Sequence, residues 1–403
     1  MTAVPVLIGM RPPVVETEAD AAPGAPLVDT HGRVHRDLRI SLTDRCSLRC
    51  TYCMPEQGNE WLAKTSILTL DEIERVARVA AADGITTFRL TGGEPLLRQD
   101  IVEVVRRLAR ITGPDGTPVE LAMTTNGIRL PEFLPGLVEA GLRRLNISLD
   151  TLRRDRFREL TRRDRLDDVL DGIAAAAASG LRPLKLNAVA MRDVNDDELV
   201  DLVEFAIAHD AQMRFIEQMP LDAGHTWDRS RMVTRDEILD TLSRRWSLTP
   251  VPGRGGAPAE RWMLDGGPHT VGVIASVTAP FCGDCDRLRL TADGQLRNCL
   301  FSTTEYDLLP ILRTASSSVA EPPSVASSAP VAEPPSVAGT APVAGSAPVA
   351  GSAPVAELVE ASSPLDEEID RMLRSCVRGK LPGHAINDPS FLQPARGMNA
   401  IGG

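Results

Sequence analysis

Six cysteines fall into two tight sets, Cys46-x-x-x-Cys50-x-x-Cys53 and Cys282-x-x-Cys285 with Cys299 after a thirteen-residue spacer, while Cys376 stands apart. Thiolate is the ligand of iron–sulfur clusters and of structural zinc, so these spacings point to metal chemistry rather than to disulfides. Three thiolates can hold three irons of a [4Fe-4S] cluster and leave the fourth iron open to substrate or cofactor. The offsets 0, 4 and 7 of the first set would also line one helix face and make buried structural thiols. Against that reading, Leu48 would then point into solvent, and Pro55 closes the segment two residues after Cys53.

On spacing alone the second set has a competing reading, a closed zinc site completed by Cys376 or a histidine. Its spacer contains LRLTADGQLRN, which reads as a β-hairpin of strands 288–291 and 295–298 turning at Ala292-Asp293-Gly294. With Gly294 left-handed, Thr291 faces Gln295 and Cys299 falls opposite Arg287, so Cys299, Arg287 and Arg289 share one face. A two-residue Asp-Gly turn would put Cys299 on the other face. Two guanidiniums beside an incompletely ligated cluster form a pocket for a polyanion, because arginine binds phosphate bidentately.

These residues need elements to position them. Six β-prone runs, 38–43, 87–91, 120–125, 144–149, 184–191 and 213–219, alternate with stretches of helical periodicity, which is a βα repeat. Thr69-Leu70-Asp71-Glu72 reads as a helix N-cap with an acidic first turn, and Gly84 ends that helix. The fold class is α/β, a partial (β/α)6 TIM-type barrel with a small C-terminal region for the second cysteine set. A barrel fits better than a doubly wound sheet because the polar candidates sit at or just after the strand ends.

The chain has 403 residues, 43% of them hydrophobic, and 44 Lys and Arg against 55 Asp and Glu give a formal charge of −11. That sign argues against binding nucleic acid through net charge but permits a local anion site. Seven cysteines in so long a chain suit a reducing compartment. The first apolar run, 3–10, is short and Pro-interrupted, and no stretch nears the roughly 20 apolar residues of a membrane span, so a soluble cytoplasmic protein with no membrane partner is expected. Residues 1–36 read as a disordered leader, 37–245 as the barrel, 246–314 as the second-cluster region and 315–364 as a low-complexity linker. Within that linker EPPSVA and APVAGS each occur twice. Residues 365–403 read as a helix, opened by Asp366-Glu367-Glu368, and a diglycine tail.

The first cysteine motif, RDLRISLTDRCSLRCTYCMP, with Gly92-Gly93-Glu94-Pro95 downstream, resembles the radical S-adenosylmethionine (SAM) superfamily. The resemblance implies that Cys46, Cys50 and Cys53 hold a cluster whose open iron chelates SAM and splits it to a radical. It places Tyr52, Gly92, Gly93, Glu94, Ser148 and Met219 around SAM, the glycines allowing close approach to the methionine amine. Without it, GGEP would be only a turn, Ser148 and Asp150 would cap a helix and Met219 would be core.

The CxxC-x13-C spacing, TTNG, NISLD, RFIEQMP, GHAINDPSF and the closing AIGG further resemble the GTP 3′,8-cyclase family, the lyases that open molybdenum cofactor biosynthesis. That implies two [4Fe-4S] clusters, the second on Cys282, Cys285 and Cys299 and ligating the guanine of GTP. Arg39, Arg89, Thr124, Lys185, Arg287, Leu288 and Arg289 match GTP-binding positions, and Arg214 joins them from a matching motif. The resemblance also implies that Gly402 and Gly403 reach the active site and are needed for activity. Expected partners are an electron donor such as flavodoxin or ferredoxin and the downstream cyclic pyranopterin monophosphate synthase, while the sequence leaves the oligomeric state open, a homodimer included. Thr87 departs from the basic residue common in relatives, and Cys376 matches no motif. A radical SAM enzyme acting on a peptide and a zinc-binding structural protein are the alternatives.

Overall fold

The computed structural model describes residues 23–314 and 363–402, apart from positions 223, 225, 389, 390 and 395. All six expected runs are strands: β1 Asp37–Ser41, β2 Thr87–Thr91, β3 Glu120–Thr125, β4 Arg144–Ser148, β5 Leu184–Ala190 and β6 Ala211–Glu217. They pair in parallel in chain order. The helices between them are α1 Leu70–Ala82, α2 Ile101–Leu108, α3 Leu130–Ala140, α4 Arg154–Thr161, α5 Leu166–Ala178 and α6 Leu199–Ala208. Helix α1 begins where its sequence says, with Thr69 and Glu72 capping each other's backbone N–H, and Gly84 follows at φ +91°. One side of each strand buries apolar residues under the helices, for example Leu38 and Ile40, Phe88 and Leu90, Leu145 and Ile147. The alternate residues, Arg39, Arg89, Arg144 and Lys185 among them, face the inside of the barrel.

Residues 246–314, the expected second-cluster region, extend this sheet at both edges. After α7 (Arg235–Ser243) come β7 Leu248–Val251, β8 Glu260–Leu264 and β9 Thr270–Ile274, with β9 parallel to β6. Then β10 Arg287–Leu290 runs parallel to β1, and β11 Gln295–Arg297 and β12 Tyr306–Asp307 continue outward antiparallel. The twelve strands end at β12 and β7, which leaves the barrel open. The hairpin register is the expected three-residue form: Arg289 pairs with Arg297, Thr291 with Gln295, and Gly294 is left-handed.

Two boundaries are corrected. Residues 23–36, read as disordered leader, are packed: Leu27 and His35 are buried, and the Leu27 N–H donates to the Asp83 carbonyl. The polar, Pro-rich average of that stretch hides one anchoring leucine and one buried arginine, Arg33. Helices α8 (Leu309–Thr314), α9 (Pro364–Arg378) and α10 (Met398–Ile401) complete the chain, and α9 is capped by Ser363 with Asp366 in return, so 363–364 belong to it rather than to the linker. Helix α9 lies against α1, where Arg374 donates to Asp83 at 3.0 Å and to Asp370 at 2.9 Å. The expected low-complexity tract 315–356, residues 1–22 and Gly403 fall outside the described residues.

Candidate active site

The first cysteine set is a loop rather than a helix face. Cys46, Cys50 and Cys53 follow β1, and Leu48 is buried instead of reaching solvent. A loop must satisfy its own backbone, and this one does so against the end of α4. The Arg49 and Thr51 N–H groups donate to the Thr161 and Leu160 carbonyls, and Arg162 donates to the Arg49 and Met54 carbonyls at 3.1 Å each. Asn126, from the TTNG run after β3, donates to Ser47 Oγ at 3.1 Å and lies 3.9 Å from Cys46 Sγ. Tyr52 donates its hydroxyl to Asp150 at 2.7 Å, and the other oxygen of Asp150 accepts the Val189 N–H. Neither Ser148 nor Asp150 caps a helix.

Gly92 and Gly93 are required by close backbone contacts. A Cβ on Gly92 would stand 2.4 Å from the Thr43 carbonyl oxygen, and one on Gly93 2.2 Å from that of Arg45. The pair is glycine so that this turn can lie against the start of the cysteine loop. Glu94 is fully committed inside the protein: it accepts from Leu96 N–H, Thr125 Oγ1 and the Asn126 N–H. It orients Asn126 and through it the Cys46 segment.

Inside the barrel lies a cavity of about 360 Å³. Its wall includes Tyr52, Ser148 and Met219, the three cysteines Cys282, Cys285 and Cys299, and Arg39, Arg89, Thr124, Lys185, Arg214, Arg287 and Arg289. Parallel register sets this array: Arg39 stands level with Arg89 on one neighbour and with Arg289 on the other. Leu288 points the opposite way, wholly buried in the core, so its side chain is excluded from the cavity. Sequence reading missed Arg144, which lines the cavity and pairs with Glu120, the β3 register partner of Thr87; a cation thus stands at the edge where Thr87 provides none.

The cations repel one another in a confined space. Burial and then Arg214, Arg144 and Arg89 bring Lys185 down to about 7. Burial and the neighbouring arginines Arg289, Arg287 and Arg89 also pull Arg39 well below its ordinary value, although a guanidinium keeps its proton. Arg39, Arg89 and Arg287 each leave a buried Nε without a hydrogen-bond partner. Such an array is satisfied by a bound polyanion.

The second cysteine set has cations close by. Arg287 Nη2 donates to Cys285 Sγ at 3.3 Å and its guanidinium lies over Phe281. Burial resists ionisation of Cys285, but Arg287 and Lys380 outweigh it and bring the thiol down to about 6. Both candidates for a fourth zinc ligand are engaged elsewhere: Cys376 is buried in the core, and His384 uses Nε2 with the Ser276 carbonyl and Nδ1 with the Ile386 N–H. No three His, Cys, Asp or Glu side chains among the described residues converge on a single metal ion. A four-iron cluster asks for something different, one thiolate per iron around a wider core, and each set offers three free thiols for that purpose.

The tail reaches this interior. Gly402 is buried at φ +69°, its carbonyl accepts from Arg289, and a Cβ there would stand 2.5 Å from Ser41 Oγ. Asn399 donates to the Asp44 carbonyl at 2.9 Å and accepts from Asn59.

Two family profiles match the chain: Radical SAM superfamily over residues 40–206 and Molybdenum Cofactor Synthesis C over residues 211–321. The chain is 50% identical over 380 residues to a GTP 3′,8-cyclase of Streptomyces coelicolor, covering 94% of this chain and 96% of the relative. It is 43% identical over 405 residues to a GTP 3′,8-cyclase of Mycolicibacterium smegmatis, covering 97% and 98%. Among solved structures, Streptococcus suis SuiB shares the fold at a TM-score of 0.50 and 15% identity, over 69% of this chain and 64% of SuiB.

Proposed function

The chain belongs to the GTP 3′,8-cyclase family of radical SAM enzymes, and on that premise we propose a division of labour among its residues. The reaction converts GTP to (8S)-3′,8-cyclo-7,8-dihydroguanosine 5′-triphosphate at the head of molybdenum cofactor biosynthesis, with SAM and two [4Fe-4S] clusters as cofactors. When bound, the reduced first cluster and SAM supply a radical able to take the hydrogen from C3′ of GTP, after which C3′ bonds to C8.

The residues prepare that encounter. Cys46, Cys50 and Cys53 hold the first cluster, with Asn126 and Glu94 fixing the loop. Tyr52, Ser148 and Met219 frame SAM where they border the cavity, and Gly92 and Gly93 set the turn beside it. Arg39, Arg89, Lys185 and Arg214 grip the triphosphate, with Arg144 beside them and Thr124 in the same wall. Cys282, Cys285 and Cys299 hold the second cluster against the guanine, flanked by Arg287 and Arg289, while Leu288 holds their spacing from the core side. Gly402 closes the site behind Arg289, and Gly403 is needed for activity with it.

The observation that carries this reading is the cavity itself, whose wall includes Tyr52, the second thiol set and seven of the eight expected GTP positions. GTP deuterated at C3′ tests it under anaerobic reduction with SAM. Deuterium should appear in 5′-deoxyadenosine together with a cyclised nucleotide, and 5′-deoxyadenosine without one would overturn the substrate. Family resemblance supports electron delivery by flavodoxin or ferredoxin and transfer of the product to cyclic pyranopterin monophosphate synthase. Seven free cysteines support a cytoplasmic setting, and no helix among the described residues is long and apolar enough to cross a membrane. Homodimerisation belongs to the same reading and is checked by sedimentation.

A further inference from the structure

The end of α9 and the segment after it are stitched to Cys282 and to residues close to Cys285 and Cys299. Asn298, next to Cys299, donates to the Cys376 carbonyl at 2.9 Å. Lys380 Nζ donates to the carbonyl of Arg287, two residues after Cys285, at 2.8 Å. Arg33 ties the Cys282 carbonyl to that of Leu381, both at 2.8 Å, and the His384 N–H donates to Cys282. This segment therefore belongs to the second site, although about 80 residues of chain separate it from Cys299.

Within it, Lys380 is anomalous. The side chain is buried, only 4% exposed, and among the described residues its ammonium has no carboxylate within ion-pair distance; its one hydrogen bond is to a neutral carbonyl. Arg33 has Asp29, whereas Lys380 has Arg287 and Arg33 as further positive neighbours, and Asp286 is near without pairing. The groups that favour its charge are Cys285 and Cys299. A buried ammonium is costly unless an anion answers it. The anion on that side is a ligated thiolate cluster.

We infer that Lys380 is the built-in counter-ion of the second cluster, a positioning residue that holds the cluster's negative charge and raises its reduction potential. The inference rests on the placement of that cluster on Cys282, Cys285 and Cys299. A fixed positive charge beside a cluster favours the form with the extra electron, so removing it lowers the potential. Arg287 acts in the same sense, but its charge is shared with Asp37 and Asp286, and it also faces the cavity.

The test compares full-length, anaerobically reconstituted wild type, Lys380→Met and Lys380→Arg by iron content and EPR-monitored redox titration without GTP. Lys380→Met should shift the second cluster to lower potential and leave the first cluster and its SAM cleavage unchanged, and Lys380→Arg should titrate like wild type. A Lys380→Met protein with full iron and an unshifted second cluster overturns the inference. Should Lys380→Met lose half its iron, the intact first cluster serves as the folding control. Retention of that iron by Lys380→Arg then supports a charge requirement, and its loss there overturns it. Wild type with only one cluster, or a Cys282→Ser variant that keeps both, would instead overturn the placement of the second cluster.

Discussion

One cavity is lined by the second thiol set and by Tyr52 of the first set's loop, and the two sets are built on different electrostatic terms. In the first, burial is reinforced by negative neighbours: Cys46 is pushed up to about 11 by desolvation and Glu94, Cys53 to about 12 by desolvation and Cys46, and Cys50 well upward by desolvation and Asp150. Arg49 softens this at Cys46 but spends its hydrogen bonds on the carbonyls of Cys46 and Leu48. In the second set, Arg287 and Lys380 overcome burial at Cys285, while Cys282 stays high, at about 11, through burial and Cys299. Carboxylates beside a cluster disfavour its reduced form and so make it the stronger reductant; cations do the reverse. In the proposed division of labour, the site that gives an electron away thus has acidic neighbours, and the site that holds an anionic nucleotide has basic ones.

This contrast can be broken or sharpened in four ways. Cys50→Ser should reduce SAM cleavage by roughly 1000-fold or more while iron falls from about eight to about four per chain, the remaining cluster being the second. Loss of all iron would show that the two sites are not independent. In iron-free protein at pH 7, iodoacetamide should modify Cys285 on the order of 100-fold faster than Cys53, because the thiolate is the nucleophile. Cys285 has a depressed pKa, so its labelling should fall as pH drops through about 6, and Arg287→Leu should move that fall upward. Mass-spectrometric mapping that finds equal labelling of the two sites would erase the contrast.

A smaller effect tests the wall between the sites. Lys185 titrates at about 7 because burial and then neighbouring cations lower it, and a bound triphosphate must raise it again. Below pH 7 the group is already charged and GTP binds without proton uptake. Above pH 7 binding takes up a proton, and Kd should rise about tenfold per unit until the pKa of the complex is passed. Calorimetry in buffers of different ionisation heat should count close to one proton at pH 8, and none for Lys185→Met. The smallest change is Tyr52→Phe, which strips one hydrogen bond from Asp150 and should weaken SAM binding about 3- to 10-fold with the second cluster's spectrum unchanged.

The six strands were legible because each is a short β-branched or apolar run that the next helix must cover, and their ends fall within two residues of expectation. The hairpin register was legible because Gly294 selects the loop. The pairings of β10 with β1 and of β9 with β6 were not, since parallel partners about 250 and 60 residues apart leave no local signal. Arg144 was hidden because no motif marked it, although its place one residue before Leu145 on a strand with known facing would have predicted its direction. Lys380, and Arg33 in its contacts with the second site, were hidden because the partners there are backbone carbonyls, which every sequence contains. Asp150 was visible as a residue but not as the acceptor for Tyr52, 98 positions away.

Asn399 touches the loop of the first set at Asp44 and Asn59, and Lys380 and Arg33 brace the second. Translation proceeds in the other direction. Cys53 leaves the ribosome 346 residues ahead of Asn399, an interval on the order of 20–70 s at bacterial elongation rates, during which its thiols stand without that cover. Iron delivery to the nascent chain would meet one site missing its strap and another missing its counter-charge. The cover of both cysteine sets and the carbonyl that meets Arg289 are thus the last parts of the chain to be made.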